Sequence, residues 1–187
     1  MPIRPPSARM RLRPLYGDKP QSFHVGHSMY GNNVRTESRG KPRPHQGWDL
    51  SAPMGTKVYA IARGICKHAQ WVDHKNAYDW GANYGLHVLL EIENGNREGV
   101  NIPFVKSKRI YAFYAHLSAV YVFNGQEVLA GDVIGRTGRS GAGAKKLPID
   151  QAHLHFEIRT IPESRPGIAY HVDPTFLFPI PQAENRR

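Results

Sequence analysis

The chain has a single cysteine, Cys66, in 187 residues, so it cannot form an intramolecular disulfide framework. That excludes the small cystine-stapled domains. It also lacks any apolar run near the roughly twenty residues a membrane-spanning helix requires, and any long stretch of helical periodicity. The opening MPIRPPSARMRLRPLYGDKP carries arginines without a continuous apolar core, so it does not fit a secretory leader; a soluble chain made in the cytoplasm is expected. Acidic residues are few: 15 Asp and Glu against 25 Lys and Arg leave a formal charge of +10. A basic surface suits nucleic acid. However, no recognition helix, RNA-binding aromatic pair or C-x-x-C finger accompanies the charge, so no specific nucleic-acid partner is expected. An anionic wall polymer would be attracted equally well.

Gly 18 and Pro 15, by contrast, are many for this length. With short apolar runs between them, they point to one mainly β, loop-rich domain with a sizeable core. The division expected is a basic Pro-rich arm over 1–22, a domain over 23–180 and a short tail over 181–187. The clearest strands are TKVYAIA, GLHVLLEIE, KRIYAFYAHL and AHLHFEIRT. Cys66, inside the β-like run VYAIARGICKHAQ, is expected as a small buried hydrophobe and not as a nucleophile.

The segment DQAHLHFEIRT places His153, His155 and Glu157 on one side of a strand and Leu154, Phe156 and Ile158 on the other. The apolar side can pack on a core while the histidines face a groove or solvent. An isolated H-x-H is more often a tolerated polar face than a metal site, because one pair cannot close the coordination. Upstream, KPRPHQGWDLSAPMG holds His45 and Asp49 four apart, in a segment that Pro42, Pro44 and Gly47 keep from being a helix. Imidazole and carboxylate both suit zinc, and one nitrogen from His153 or His155 would complete three protein ligands with a position left open. His116 ends another β-like run, RIYAFYAHLSAV. The set His45, Asp49, His116, His153 and His155 holds one more imidazole pair than a zinc site needs, and spare histidines suit proton transfer.

HQGWDLSAPMGTKVYAIARG, YAFYAHLS, GQEVLAGDVIGRTGRSG, HLHFEIR and VDPTFLF occur in the order and style of the lysostaphin/LytM-type zinc metallopeptidases, and the chain resembles that M23 peptidase family over roughly residues 23–180. The resemblance implies a largely antiparallel β-sheet, of the duplicated-hybrid-motif kind, flooring a narrow groove walled by long loops. It implies one zinc per chain, held by His45, Asp49 and His155, with His153 as general base and His116 assisting it or stabilising charge in the transition state. It implies a peptidoglycan substrate and, by preference, a D,D-endopeptidase cutting peptide cross-links. Other readings are a phage-type lysin of the same chemistry released by a holin, or a catalytically silent binding or regulatory module. Without leader or wall-binding repeats, an antibacterial effector of a type VI-like secretion system is favoured over the lysin. It would act in a target cell's periplasm and bring an immunity protein or secretion carrier as partner.

The chain departs from the family's usual pattern in three insertions: AGAKKLPIDQA, QWVDHKNAYDWGANYG and NGNREGVNIPFVKSK. These are expected either to shape the groove walls or to be ordinary loop variation. GRSGAGAKK is not a phosphate loop, since Ala144 follows Gly143 where lysine belongs, and Ser140 lies in G-x-S-x-A without a triad. His24 and His27 are expected on a polar wall, and His68, His74, His87 and His171 in surface or structural roles.

Overall fold

The computed structural model describes Arg4 and residues 11–12, 28–32, 35–36, 40, 42–70, 84–96 and 100–179. In chain order its strands are β1 (Arg11–Leu12), β2 (Arg35–Thr36), β3 (Pro42–Arg43), β4 (Trp48–Ser51), β5 (Lys57–Tyr59), β6 (Gly64–Gln70), β7 (Leu86–Glu93), β8 (Arg109–Val120), β9 (Glu127–Val128), β10 (Val133–Thr137), β11 (His153–Arg159) and β12 (His171–Val172). The pairings are antiparallel, in the order β1-β4-β11-β8-β7-β6-β9, with β12 beside β11 and β10 bridging β5 and β8. The antiparallel β architecture expected from sequence is therefore the one observed. The arm expected over 1–22 is described only at Arg4 and β1, while His24, His27, His74, most of QWVDHKNAYDWGANYG and the tail 181–187 lie outside the described residues.

Alternation along β11 sorts its side chains as the sequence predicts: Leu154, Phe156 and Ile158 join one apolar cluster with Trp48, Leu50, Leu90, Ile92 and Tyr114. The histidine face is also buried, which the sequence did not predict; every residue of β11 is shielded. The reason is position: β11 lies between β4 and β8, and Tyr84 packs on its second face, its ring centroid 5.3 Å from that of His155 and its hydroxyl 2.9 Å from Glu157 Oε1. Cys66 is fully buried in the main cluster, and burial pushes its thiol up to about 11, as suits a packing residue.

Two expected features change form. TKVYAIA is a strand only over Lys57–Tyr59, after which the chain bends so that Ala60, Ile61 and Ala62 turn into the core. In NGNREGVNIPFVKSK, the described residues Val100 and Ile102 are buried in the cluster on the face of the sheet opposite the histidines. Asn94 organises that loop, its amide donating to the carbonyls of Ile102, Val105 and Ser107 while its oxygen accepts from Ile102 N–H. AGAKKLPIDQA folds into two 3-10 turns, Ala144–Lys146 and Ile149–Gln151, ahead of β11.

Candidate metal centre

β4 and β11 pair so that Asp49 stands directly opposite His155, and β8 places Ala115 opposite His155 on the other side. His45 lies in the irregular segment just before β4, where Gly47 lets it fold back. A Cβ on Gly47 would meet the Phe156 carbonyl oxygen at 2.1 Å, so only glycine allows this backbone to cross β11 so closely. Gly47→Ala is expected to destabilise the protein by about 1–3 kcal/mol through overpacking and to weaken metal binding, read by thermal melting and metal titration. Unchanged melting and affinity would show that the crossing does not depend on glycine.

The donor atoms converge. His45 Nε2 is 3.2 Å from His155 Nδ1 and 3.3 Å from Asp49 Oδ1, and His155 Nδ1 is 2.8 Å from Asp49 Oδ1. These separations are near the roughly 3.3 Å edge of a tetrahedron with metal bonds of about 2.0–2.1 Å. The outer ring nitrogens fix the tautomers: His45 Nδ1–H donates to the Met29 carbonyl at 3.1 Å, and His155 Nε2–H donates to Glu157 Oε1 at 2.6 Å. Each ring thus turns a lone pair inward, toward a carboxylate oxygen. Buried acceptors so close together call for a cation, and the donor set fits a divalent metal.

His116 and His153 stand beside this triad. Their rings meet edge-on with centroids 4.9 Å apart, and His116 lies 5.8 Å from the His155 ring. His153 Nδ1–H donates to the Gln151 carbonyl at 3.1 Å, which leaves Nε2 directed toward Asp49 Oδ1 at 3.9 Å. His116 Nδ1–H donates to the Ser140 carbonyl at 2.8 Å. Burial, reinforced by the two neighbouring histidines, holds the His116 pKa well below its ordinary value, so the ring is neutral.

A backbone irregularity puts His116 there. Strict alternation would send it to the core side with Ala112 and Tyr114. Instead β8 carries an extra residue where Leu86 pairs with Leu117 and Val88 with Tyr114, and His116 adopts φ 61°. This bulge turns the imidazole toward the rings of His153 and His155 and returns Leu117 to the core.

Behind His155 lies a buried ionic network. Glu157 Oε2 accepts from Arg159 Nε at 2.5 Å and lies 3.2 Å from His171 Nε2, and the Tyr84 hydroxyl is 2.9 Å from Glu157 Oε1. The Arg159 guanidinium also sits 3.8 Å over the Phe113 ring. Burial alone would raise the Glu157 pKa, but Arg159 and the two imidazoles outweigh it and hold the carboxyl well below its usual range. His155 shifts the other way: burial disfavours its charge, yet the neighbouring carboxylates of Asp49 and Glu157 outweigh that and raise its pKa. The Tyr84 hydroxyl is also 2.9 Å from Gln46 Oε1, and the Gln46 amide donates to the Arg165 and Gly167 carbonyls, tying the loop after β11 to the site.

The five residues singled out in sequence are therefore neighbours. Sequence reasoning missed Tyr84, Arg159 and the role of His171. The period-2 face of β11 reaches Glu157 and Arg159, so that signal was present, but nothing local marks Tyr84. His87 is fully buried, donating Nδ1–H to the Gly85 carbonyl, in keeping with its structural reading.

The model of peptidase family M23 matches residues 43–166, a span that contains β4, β8 and β11. The chain is 28% identical over 141 residues to the peptidoglycan DD-endopeptidase ShyA of Vibrio cholerae, covering 75% of this chain and 26% of that protein. It is 32% identical over 130 residues to an uncharacterized metalloprotease of Haemophilus influenzae, covering 70% and 22%. The chain thus spans about a quarter of the length of these curated relatives. The catalytic domain of the antimicrobial peptidase lysostaphin from Staphylococcus simulans matches with a TM-score of 0.52 at 26% identity, over 80% of this chain and 88% of that one. On sequence and on fold, the chain belongs to peptidase family M23.

Proposed function

We propose that the chain is a zinc-dependent peptidoglycan endopeptidase that cleaves peptide cross-links as a D,D-endopeptidase. The observation that carries this reading is the convergence of His45 Nε2, Asp49 Oδ1 and His155 Nδ1 beside the edge-on pair His116 and His153. The likeness to ShyA, whose name specifies a peptidoglycan DD-endopeptidase, supports the bond class, and the charge of +10 suits an anionic wall.

A zinc ion held by the three ligands would polarise the scissile carbonyl and acidify an attacking water. His153, with Nδ1–H committed to Gln151, offers Nε2 as the base that takes the water proton and returns it to the leaving amine. His116, neutral and with Nδ1–H committed to Ser140, is suited to accept a hydrogen bond from the attacking water and orient it. In that state it is less suited to neutralise an oxyanion, so of the two roles implied by the resemblance the assisting one is favoured. Glu157 holds the His155 ring in place through Nε2–H.

The direct test is digestion of diaminopimelate-type peptidoglycan with muropeptides resolved by mass. Cross-linked dimers should disappear with native protein, persist after chelation and disappear again when zinc is restored. Intact dimers with zinc demonstrably bound would overturn the reading.

A further inference from the structure

Two phenylalanines stand exposed and in contact, one in the loop ahead of β8 and one in the turn after β12. Phe104 and Phe176 are each 58% exposed, and their rings meet edge-on with centroids 4.7 Å apart. Single apolar side chains on a surface need no explanation, but two that come from distant segments and face solvent together do. Both are braced from behind. Residues 102–105 form a tight turn, closed by Val105 N–H donating to the Ile102 carbonyl, with the exposed Pro103 and Phe104 at its tip and Ile102 buried in the main cluster. Phe176 ends the 3-10 turn Pro174–Phe176, where Asp173 Oδ1 accepts from Thr175 N–H at 2.9 Å and the buried Pro174 and Phe178 hold the backbone to the core.

Two cations accompany the pair, the exposed Lys106 and Lys108. The Asn94 amide nitrogen gathers the carbonyls of Ile102, Val105 and Ser107 within 3.3 Å, so Phe104, Lys106 and Lys108 are held on the outside of one compact loop. The neighbouring acids are turned away or engaged: alternation with the buried Ile92 sends Glu91 and Glu93 to the histidine face, and Asp173 caps its turn. Ile102 and Phe178 belong to the cluster on the apolar face of β11. From Arg109, which follows the loop, β8 runs about 20 Å at the rise of a strand before it reaches His116. The patch therefore lies on the other face of the sheet, and at the other end of β8, from the metal ligands.

We propose that this patch docks the protein on an anionic lipid surface, with Phe104 and Phe176 entering the boundary between headgroups and acyl chains and Lys106 and Lys108 meeting lipid phosphates. Rings with no polar atom, carried on projecting turns, suit a medium that deforms around them. Lysine stems lie along such a surface while their ammonium groups reach its phosphates. The formal charge of +10 complements an anionic bilayer and draws the chain toward it. Two rings and two lysines give a weak, reversible attachment that leaves the metal ligands on the side away from the bilayer. Nothing in this depends on which bond the site cleaves.

The test is co-sedimentation of the full chain at low salt with vesicles of phosphatidylcholine alone and of equal parts phosphatidylcholine and phosphatidylglycerol. Partitioning onto the anionic vesicles should be about tenfold or more stronger, and added salt should weaken it. Phe104→Ser combined with Phe176→Ser keeps every charge and should lower that partitioning about tenfold or more, as should Lys106→Gln combined with Lys108→Gln. Phe123→Ser, which removes a still more exposed ring beyond the far end of β8, should leave it unchanged. Thermal melting checks that each variant is folded. Phe104→Trp reports on insertion without deleting a ring: its emission should move to the blue on anionic vesicles, beyond any change in native protein, and should not move with soluble polyglutamate. No binding to anionic vesicles, full binding by either folded double variant, an equal loss in Phe123→Ser or an unshifted Phe104→Trp emission would overturn the proposal. Binding of polyglutamate that needs the two rings, without vesicle binding, would assign the patch to an acidic protein partner and overturn the lipid surface.

Discussion

Asp49→Ala protein is expected to lose bound zinc and hydrolysis together, as are His45→Ala and His155→Ala. Each substitution removes one of three donors whose contacts span 2.8–3.3 Å, and two buried ligands cannot close the site. His153→Ala and His116→Ala should behave differently. Both rings are anchored by Nδ1–H to backbone carbonyls outside the triad, so zinc should stay at one ion per chain while kcat falls by about 10²–10⁴, the usual range for losing a proton-handling group. Metal content by elemental analysis and kcat on purified muropeptides separate the two classes. Loss of zinc from His153→Ala would mean that the two histidines of H-x-H have exchanged roles. Full activity in His116→Ala would remove that residue from the chemistry despite the bulge that presents it.

The second large effect is expected at Glu157, which is fully buried behind His155. Glu157→Gln leaves the fully buried Arg159 without its carboxylate partner, and an uncompensated buried charge costs about 3–5 kcal/mol. The same change weakens the acceptor for His155 Nε2–H, and loss of such a partner lowers metal affinity by about 10–100-fold. The two consequences can be separated. Glu157→Gln combined with Arg159→Met removes both charges, so the melting temperature of the metal-free protein should largely recover while zinc affinity, measured by chelator competition, stays low. Native zinc affinity in a folded Glu157→Gln protein would rule out the positioning role. Recovery of affinity in the double variant would mean that the carboxylate acts on stability alone.

These effects lie at unequal depth in the sequence. Period-2 alternation over HLHFEIR was enough to place His153, His155 and Glu157 on one face and Leu154, Phe156 and Ile158 on the other, because strand geometry leaves side chains no other choice. Prolines at 42 and 44 correctly excluded a helix around His45 and Asp49. The glycine-rich run GQEVLAGDVIGRTG became the expected tight turns, with Gly125 and Gly131 both at φ 86° around β9. The alternation rule failed at His116 because one inserted residue shifts the phase of a strand, and no local residue pattern announces that shift. It also gave no sign that the histidine face would be covered, since burial of a central strand depends on segments distant in sequence.

By itself, then, the sequence determined the β class, the face on which the histidines lie and a candidate ligand set of His45, Asp49 and one of His153 or His155, which follow from side-chain chemistry and short-range backbone periodicity; the choice of His155 came from the resemblance to family M23. Only the tertiary structure decided that Asp49 pairs across β4 and β11 with His155, that a bulge brings His116 to them, and that Glu157 is locked between His155, Arg159 and His171. Those contacts are set by strand register and by the meeting of surfaces far apart in the chain. Tyr84 and Glu157, 73 positions apart, meet at 2.9 Å for that reason alone.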